Sequence, residues 1–219
     1  MTTSTLQDRI DAFNHELQQE APQNVVQTIG TAIGELVKAG VGARAPKVGQ
    51  TAPLFELPDA LGKTIALATL LKEGPVVVAF YRGQWCPYCD LQLRAYQEAL
   101  PAITALGARL VAISPQTPDE SLSTAEKREL KFHVLSDRGN GVARSYGLVW
   151  KVSGELDRVQ QAFGVDLARS NGDDSNELPA PAVFVVAADG RIVLARVDAN
   201  WTARVEPTTV IRALDELRR

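Results

Sequence analysis

The chain has 219 residues, 45% of them hydrophobic and 22% charged, with a formal net charge of −3 and a pI near 5.5. Such a chain is long enough to bury a core without disulfide staples, and its composition excludes a disordered or collagen-like polymer. No apolar run approaches the roughly 20 residues that span a bilayer, and no basic surplus marks a nucleic-acid surface. Neither a membrane nor a nucleic acid is therefore expected as a partner.

Residues 1–45 read as a helical extension. Leu6, Ile10, Phe13 and Leu17 share one helical face, and Pro22 opens a second segment. There Val25, Val26, Ile29, Ile33, Leu36 and Val37 recur at helical spacing until Gly40 and Gly42. The extension is either a packing arm or a dimerisation element, and the latter would make a homodimer. Residues 43–49 link it to a main domain spanning 46–219. Segments 54–57 and 64–67 predict a hairpin around Pro58–Gly62. The continuous apolar run 76–81 predicts a central strand covered on both faces. A helix over 89–106, a strand over 109–114, a charged helix over 119–130, a strand over 132–135 and a helix over 140–146 follow. The pattern weakens between 147 and 179, and residues 171–176 read as a solvated loop. Segments 182–186 and 191–197 flank Ala187-Ala188-Asp189-Gly190, a hairpin turn. An amphipathic helix over 207–217 closes the chain. This order predicts an α/β domain with a mixed sheet.

The only two cysteines stand three apart, as Cys86-Pro87-Tyr88-Cys89. Thiols this close are no stapling framework. With only His15 and His133 besides, a zinc site would need carboxylates as well. The segment Met1 to Asp8 lacks a basic stretch followed by an apolar one, so no secretory signal is read. The expected location is cytoplasmic, where a CxxC pair is more often redox-active than structural. Asn200-Trp201-Thr202 matches a glycosylation acceptor, which has no use there. The dithiol falls between a buried strand and the first turn of a helix. Unpaired N–H groups and the helix dipole favour an anion at that place, which lowers a thiol pKa. Spacing of three puts both side chains on one face, within reach of a disulfide.

Three segments carry a family resemblance. Val48-Gly49-Gln50-Thr51-Ala52-Pro53-Leu54-Phe55-Glu56-Leu57 resembles an opening segment, and Tyr81-Arg82-Gly83-Gln84-Trp85-Cys86-Pro87-Tyr88-Cys89 an active-site segment. Leu135-Ser136-Asp137 with Val142-Ala143-Arg144-Ser145-Tyr146-Gly147 is the third. In this order they resemble the alkyl hydroperoxide reductase/thiol-specific antioxidant branch of the thioredoxin superfamily, from about Val48 to Leu217. The resemblance implies a thioredoxin-like fold, with a central mixed sheet flanked by helices. It also implies a peroxiredoxin-like thiol peroxidase, with a peroxide substrate and a thioredoxin-type reductant, and no metal, flavin or haem.

Two departures stand against the family pattern Pro-x-x-x-Thr-x-x-Cys. Counted back from Cys89, the threonine place holds Cys86 and the proline place holds Arg82. This register makes Cys89 the peroxidatic cysteine. The pattern Trp-Cys-x-x-Cys instead makes Cys86 the attacking thiol, and helix geometry makes it the more exposed, which inclines the reading slightly to Cys86. The arginine usual before strand 182–186 is also missing. Pro179-Ala180-Pro181-Ala182 there looks like the cis-proline loop of disulfide reductases, so a cis Ala180–Pro181 bond packed on the dithiol is expected. Arg82 is a candidate for stabilising a thiolate or binding peroxide, and Trp85 for covering the dithiol. Arg196, Arg204 and His133 are expected to be solvated or structural, and Asp59, Asp119, Glu120 and Asp137 to serve in caps and turns. The rival readings are a thiol-disulfide oxidoreductase and a redox-sensing module.

Overall fold

The computed structural model describes residues 4–127 and 129–219; the first three residues of the segment in which no secretory signal is read, and position 128 of the expected charged helix, lie outside them. The chain opens with two helices, α1 (Leu6–Glu20) and α2 (Gln23–Lys38). The short antiparallel pair β1 (Glu56–Pro58) and β2 (Thr64–Ala66) follows, then α3 (Leu67–Leu70), β3 (Val76–Phe80), α4 (Pro87–Ala105), β4 (Arg109–Ser114), α5 (Pro118–Lys127) and β5 (His133–Ser136). A 3-10 turn leads into α6 (Gly141–Ser145), β6 (Val149–Lys151), α7 (Gly154–Ala162), α8 (Leu167–Asn171) and β7 (Glu177–Pro179). The chain ends with β8 (Ala182–Val186), β9 (Ile192–Val197) and α9 (Pro207–Glu216).

Five strands form the main sheet in the order β5-β4-β3-β8-β9. The β3, β4 and β5 ladders are parallel, whereas β8 runs antiparallel to β3 and β9 to β8. Every residue of β3 is buried, as an unbroken Val-Val-Val-Ala-Phe run requires. This mixed sheet is the one expected from the order of the segments. The weakly patterned stretch holds more structure than the sequence suggests: β6, α7, α8 and β7 all lie within it. Asn171, read as part of a solvated loop, is 2% exposed and ends α8. Ser153 caps α7 by accepting from the Leu156 N–H, and Asp166 caps α8 through Arg169. These short helices carry too few apolar residues for a clear helical period, so caps and tertiary packing define them.

The extension packs on the main body. Leu6 and Ile10 are buried, at 2% and 1% exposure, in the same apolar cluster as the cysteines. The Glu206 carboxylate accepts from the unpaired N–H groups of Leu6 and Gln7 at the start of α1. Arg9 makes two hydrogen bonds to Glu98 on α4. Ile10→Ala is expected to cost about 2–4 kcal/mol by leaving a cavity at this seam. Urea denaturation of the full chain measures it; a loss below about 0.5 kcal/mol would mean that the seam adds little to stability.

Candidate active site

The loop after β3 and the first turn of α4 bring the two thiols together. Cys86 is the N-cap of α4 in extended conformation, and Pro87 occupies the first helical position. Proline suits that position, because its missing N–H would have no helical partner. The N–H groups of Cys89 and Asp90 both donate to the Cys86 carbonyl at 3.0 Å. Cys89 therefore sits one turn into the helix, and the Cys86 thiol hydrogen-bonds to its sulfur. Both cysteines are free thiols with 0% exposure. The expected greater exposure of Cys86 is not found, because α1, α7 and the tryptophans around the loop roof the helix start. Cys86 nevertheless lines a cleft between these elements that opens to the surface.

Two arginines converge on the sulfurs. The Arg82 backbone N–H donates to Cys89 Sγ at 3.4 Å, and its Nη1 points at Cys86 Sγ from 3.8 Å. Its guanidinium lies 4.9 Å from the Trp85 ring centre and 4.5 Å from that of Trp201, which stacks on Trp150. Aromatic faces of this kind hold a desolvated cation. Gly83 allows the arrangement: a Cβ there would stand 2.4 Å from Trp85 Nε1. From the far side, Arg204 Nη2 reaches Cys89 Sγ at 3.4 Å and Cys86 Sγ at 3.8 Å. Arg204 is itself fixed by the Trp201 carbonyl at 2.7 Å and by Gln92 Oε1 at 2.8 Å. The residue is only partly buried, although its guanidinium packs on both sulfurs.

These contacts separate the two thiols electrically. Burial works against a Cys89 thiolate, but the Cys86 hydrogen bond, the guanidiniums of Arg204 and Arg82, and the Arg82 N–H outweigh it, and its pKa lies well below the ordinary thiol range. Burial pushes the Cys86 thiol well up, and its hydrogen bond to a charged Cys89 pushes it further. The side chain of Cys86 receives no helix-capping N–H bond, so the helix start does not favour its thiolate directly. Burial likewise opposes the Arg204 charge, but the two sulfurs outweigh it and its pKa is raised.

Two expectations are corrected. Among the described residues no peptide bond is cis, so Ala180–Pro181 is trans. Between β7 and β8 the Ala180 N–H donates to Leu148 O, and Pro181 O accepts from the Asp198 N–H. A trans proline fits such a strand start, where no ladder N–H is needed. Ala180 joins the cluster around the cysteines, whereas Pro181 lines a separate cleft with Gln92 and Arg204. Arg204, expected to be solvated or structural, contacts both sulfurs. No local signal marks it, because it lies in an irregular segment and reaches the dithiol only through tertiary folding. Arg196 is exposed, as expected. His133 stands 3.6 Å from Asp59, away from the thiols. Asp137 caps α6 through the N–H groups of Val142 and Ala143, and Asp59 accepts within its turn.

The profile of the AhpC/TSA family matches residues 48–195. The chain belongs to the AhpC/TSA family. Its relatives include the chloroplastic Peroxiredoxin Q of Populus jackii, 36% identical over 120 residues, which are 55% of this chain and 55% of that protein. The chain thus spans about half the length of that relative. A provisionally named peroxiredoxin of Mycobacterium tuberculosis is 30% identical over 157 residues, covering 72% of this chain and 88% of that one. The solved structure of peroxidoxin BcpB from Mycobacterium tuberculosis covers 79% of this chain and 99% of its own, with a TM-score of 0.62 at 22% identity. That likeness is one of fold. Within this AhpC/TSA chain, α1 and α2 lie outside the matched residues.

Proposed function

We propose that this AhpC/TSA protein is a thiol peroxidase that reduces hydrogen peroxide or organic hydroperoxides through the Cys86/Cys89 pair. The observation that carries this reading is the Cys89 sulfur, which faces the Arg82 N–H, the Arg204 guanidinium and the Cys86 thiol. The thiolate is the reactive form of cysteine, and these donors favour it. In the first step Cys89 S⁻ attacks the outer peroxide oxygen. An S–O bond forms, the O–O bond breaks, and sulfur is oxidised to a sulfenic acid. The leaving alkoxide or hydroxide takes the Cys86 proton. Cys86 S⁻ then attacks the Cys89 sulfur, the S–S bond forms, and hydroxide leaves to be protonated by solvent. A thioredoxin-type dithiol regenerates the pair by exchange. Its thiolate attacks the cavity-lining sulfur of Cys86 and expels Cys89, whose low pKa makes it the better leaving group. Arg82 and Arg204 hold the thiolate, and Trp85 and Trp201 hold Arg82.

Family membership and the second arginine favour this reading over a disulfide oxidoreductase. That rival rested partly on a cis proline and on the absence of an arginine; the proline is trans, and Arg204 supplies a guanidinium from another segment. The proposal includes a reducing, cytoplasmic setting and the division into an extension over 1–45 and a catalytic domain over 46–219. No helix among the described residues is long and apolar enough to cross a membrane.

Stopped-flow fluorescence of the pre-reduced protein against hydrogen peroxide and cumene hydroperoxide tests the reading. Oxidation much faster than that of a free thiol supports it. Oxidation at the free-thiol rate, with rapid exchange against a disulfide substrate, would establish the oxidoreductase instead.

A further inference from the structure

We infer that the disulfide of the Cys86/Cys89 pair is strongly oxidising, so that the protein, once oxidised by peroxide, passes its disulfide to dithiols of other proteins. The inference rests on the peroxidase reading for its oxidant and adds a second activity at the same sulfurs. Its direction is the reverse of the reduction of protein disulfides. The reason lies in the charges around the pair. In the reduced protein the Cys89 thiolate is the anion that the cations face. Arg204 Nη2 and the Arg82 N–H each stand 3.4 Å from it, and Arg82 Nη1 lies 3.8 Å from the adjoining Cys86 Sγ. Among the described residues neither arginine has a carboxylate partner: the charges that support them are those of the two sulfurs. Arg82 is 4% exposed and bounded by the rings of Trp85 and Trp201, and its Nε has no hydrogen-bond partner among the described residues. Arg204 is otherwise held by neutral acceptors, the Trp201 carbonyl and Gln92 Oε1. Glu206, two positions further on, is turned to the N–H groups of Leu6 and Gln7.

Forming the disulfide removes that anion. Two guanidiniums then flank an uncharged sulfur pair, and the charge of Arg204 already weighs against that of Arg82 in the reduced protein. A buried charge that loses its partner is costly, and hydrogen bonds to an ionised acceptor are stronger than those to a neutral one. Both effects favour the reduced form over the disulfide, and a dithiol whose reduced form is held in this way has a high reduction potential. Cys86 lines a cleft that opens to the surface, so its sulfur is the one within reach of a target. A target thiolate attacks Cys86 Sγ. A bond between target and Cys86 forms, the Cys86–Cys89 bond breaks, and Cys89 leaves with the electron pair as the thiolate that the arginines favour. The second target thiol gives its proton to solvent and attacks the first target sulfur. The target disulfide forms, the bond to Cys86 breaks, and Cys86 leaves with the electron pair and takes up a proton. The target has lost two electrons and the pair has gained them; peroxide reoxidises the pair by the step given above.

The test has two parts. The first is the equilibrium constant for oxidation of the full chain in glutathione redox buffers, read by acid quenching, thiol alkylation and intact mass. The constant is expected to be at least about a hundredfold smaller than that of thioredoxin in the same buffers. Arg204→Met should raise it at least about tenfold, because one pKa unit lost at the thiolate is a tenfold change. In the second part the full chain is oxidised with one equivalent of hydrogen peroxide, cleared of residual peroxide with catalase, and mixed with reduced, unfolded ribonuclease A. Two ribonuclease thiols should disappear for each pair reduced, at least about ten times faster than with oxidised glutathione at the same concentration, since Cys89 is the better leaving group. A constant equal to that of thioredoxin or larger overturns the inference, as does a small constant without transfer to ribonuclease. A folded Arg204→Met protein with the wild-type constant overturns it too; where that variant does not fold, the wild-type constant and the transfer decide. If peroxide oxidises the pair rapidly but the constant matches that of thioredoxin, only the disulfide donor fails. If peroxide reacts no faster than with a free thiol while the constant is small and a disulfide installed by diamide is transferred, only the peroxidase reading fails.

Discussion

Cys89→Ser is expected to abolish the fast oxidation by peroxide, lowering its rate by about a thousandfold or more, because the thiolate is the attacking group. Cys86→Ser is expected to keep the first step and to stop at a Cys89 sulfenic acid. The reason lies in the unequal surroundings of the two sulfurs. Cys89 lies 3.4 Å from both the Arg82 N–H and Arg204 Nη2, whereas the nearest guanidinium nitrogens to Cys86 are at 3.8 Å. Burial and the hydrogen bond to Cys89 push the Cys86 thiol pKa up, which favours its protonated form. A dimedone-type sulfenic acid probe and intact-mass measurement check both variants. Labelling confined to Cys86 in the Cys89→Ser protein, at an undiminished rate, would reverse the assignment and make Cys86 the nucleophile. It would leave the peroxidase standing.

The second large effect concerns Arg204. Its cation lowers the Cys89 pKa, so its removal must raise it. The thiol form is unreactive and prevails below the pKa. Wild-type oxidation should therefore hold its rate through neutral pH and fall only well below the ordinary thiol range. In Arg204→Met the fall should already be present at neutrality, where the rate should drop about 10- to 100-fold, since one pKa unit is a tenfold change in the thiolate ratio. At high pH, where both proteins carry the thiolate, the gap should narrow. Arg204→Lys keeps a charge but loses the planar fork that also grips the Trp201 carbonyl and Gln92, so an intermediate profile is expected. A pH–rate profile of single-turnover oxidation is the measurement. An Arg204→Met profile that falls uniformly at all pH values would show that the residue only supports the fold and does not tune the thiol.

Much of this architecture is legible in the residue pattern. The apolar run at β3 and the strand at 109–114 need little context, because continuous or bounded apolar segments bury in few ways. The hairpin at 182–197 is equally plain from its Asp-Gly turn. The dithiol is legible too, since its spacing and its place before a helix are local facts. The region 147–179 is not. Helix α7 carries only a few apolar residues, and its N-cap Ser153 acquires meaning only once α2 packs against it.

The sequence by itself determined the mixed α/β layering, the helical extension and the location of the dithiol at a helix start, because each follows from local periodicity and backbone chemistry. Tertiary structure alone decided the trans state of Ala180–Pro181, which depends on how β7 runs into β8. It alone brought Arg204 onto Cys89 across 115 positions of chain, and roofed Cys86 with α1 and α7. Thiolate preference, burial and cavity shape are sums over groups distant in sequence, and a linear pattern does not encode their distances.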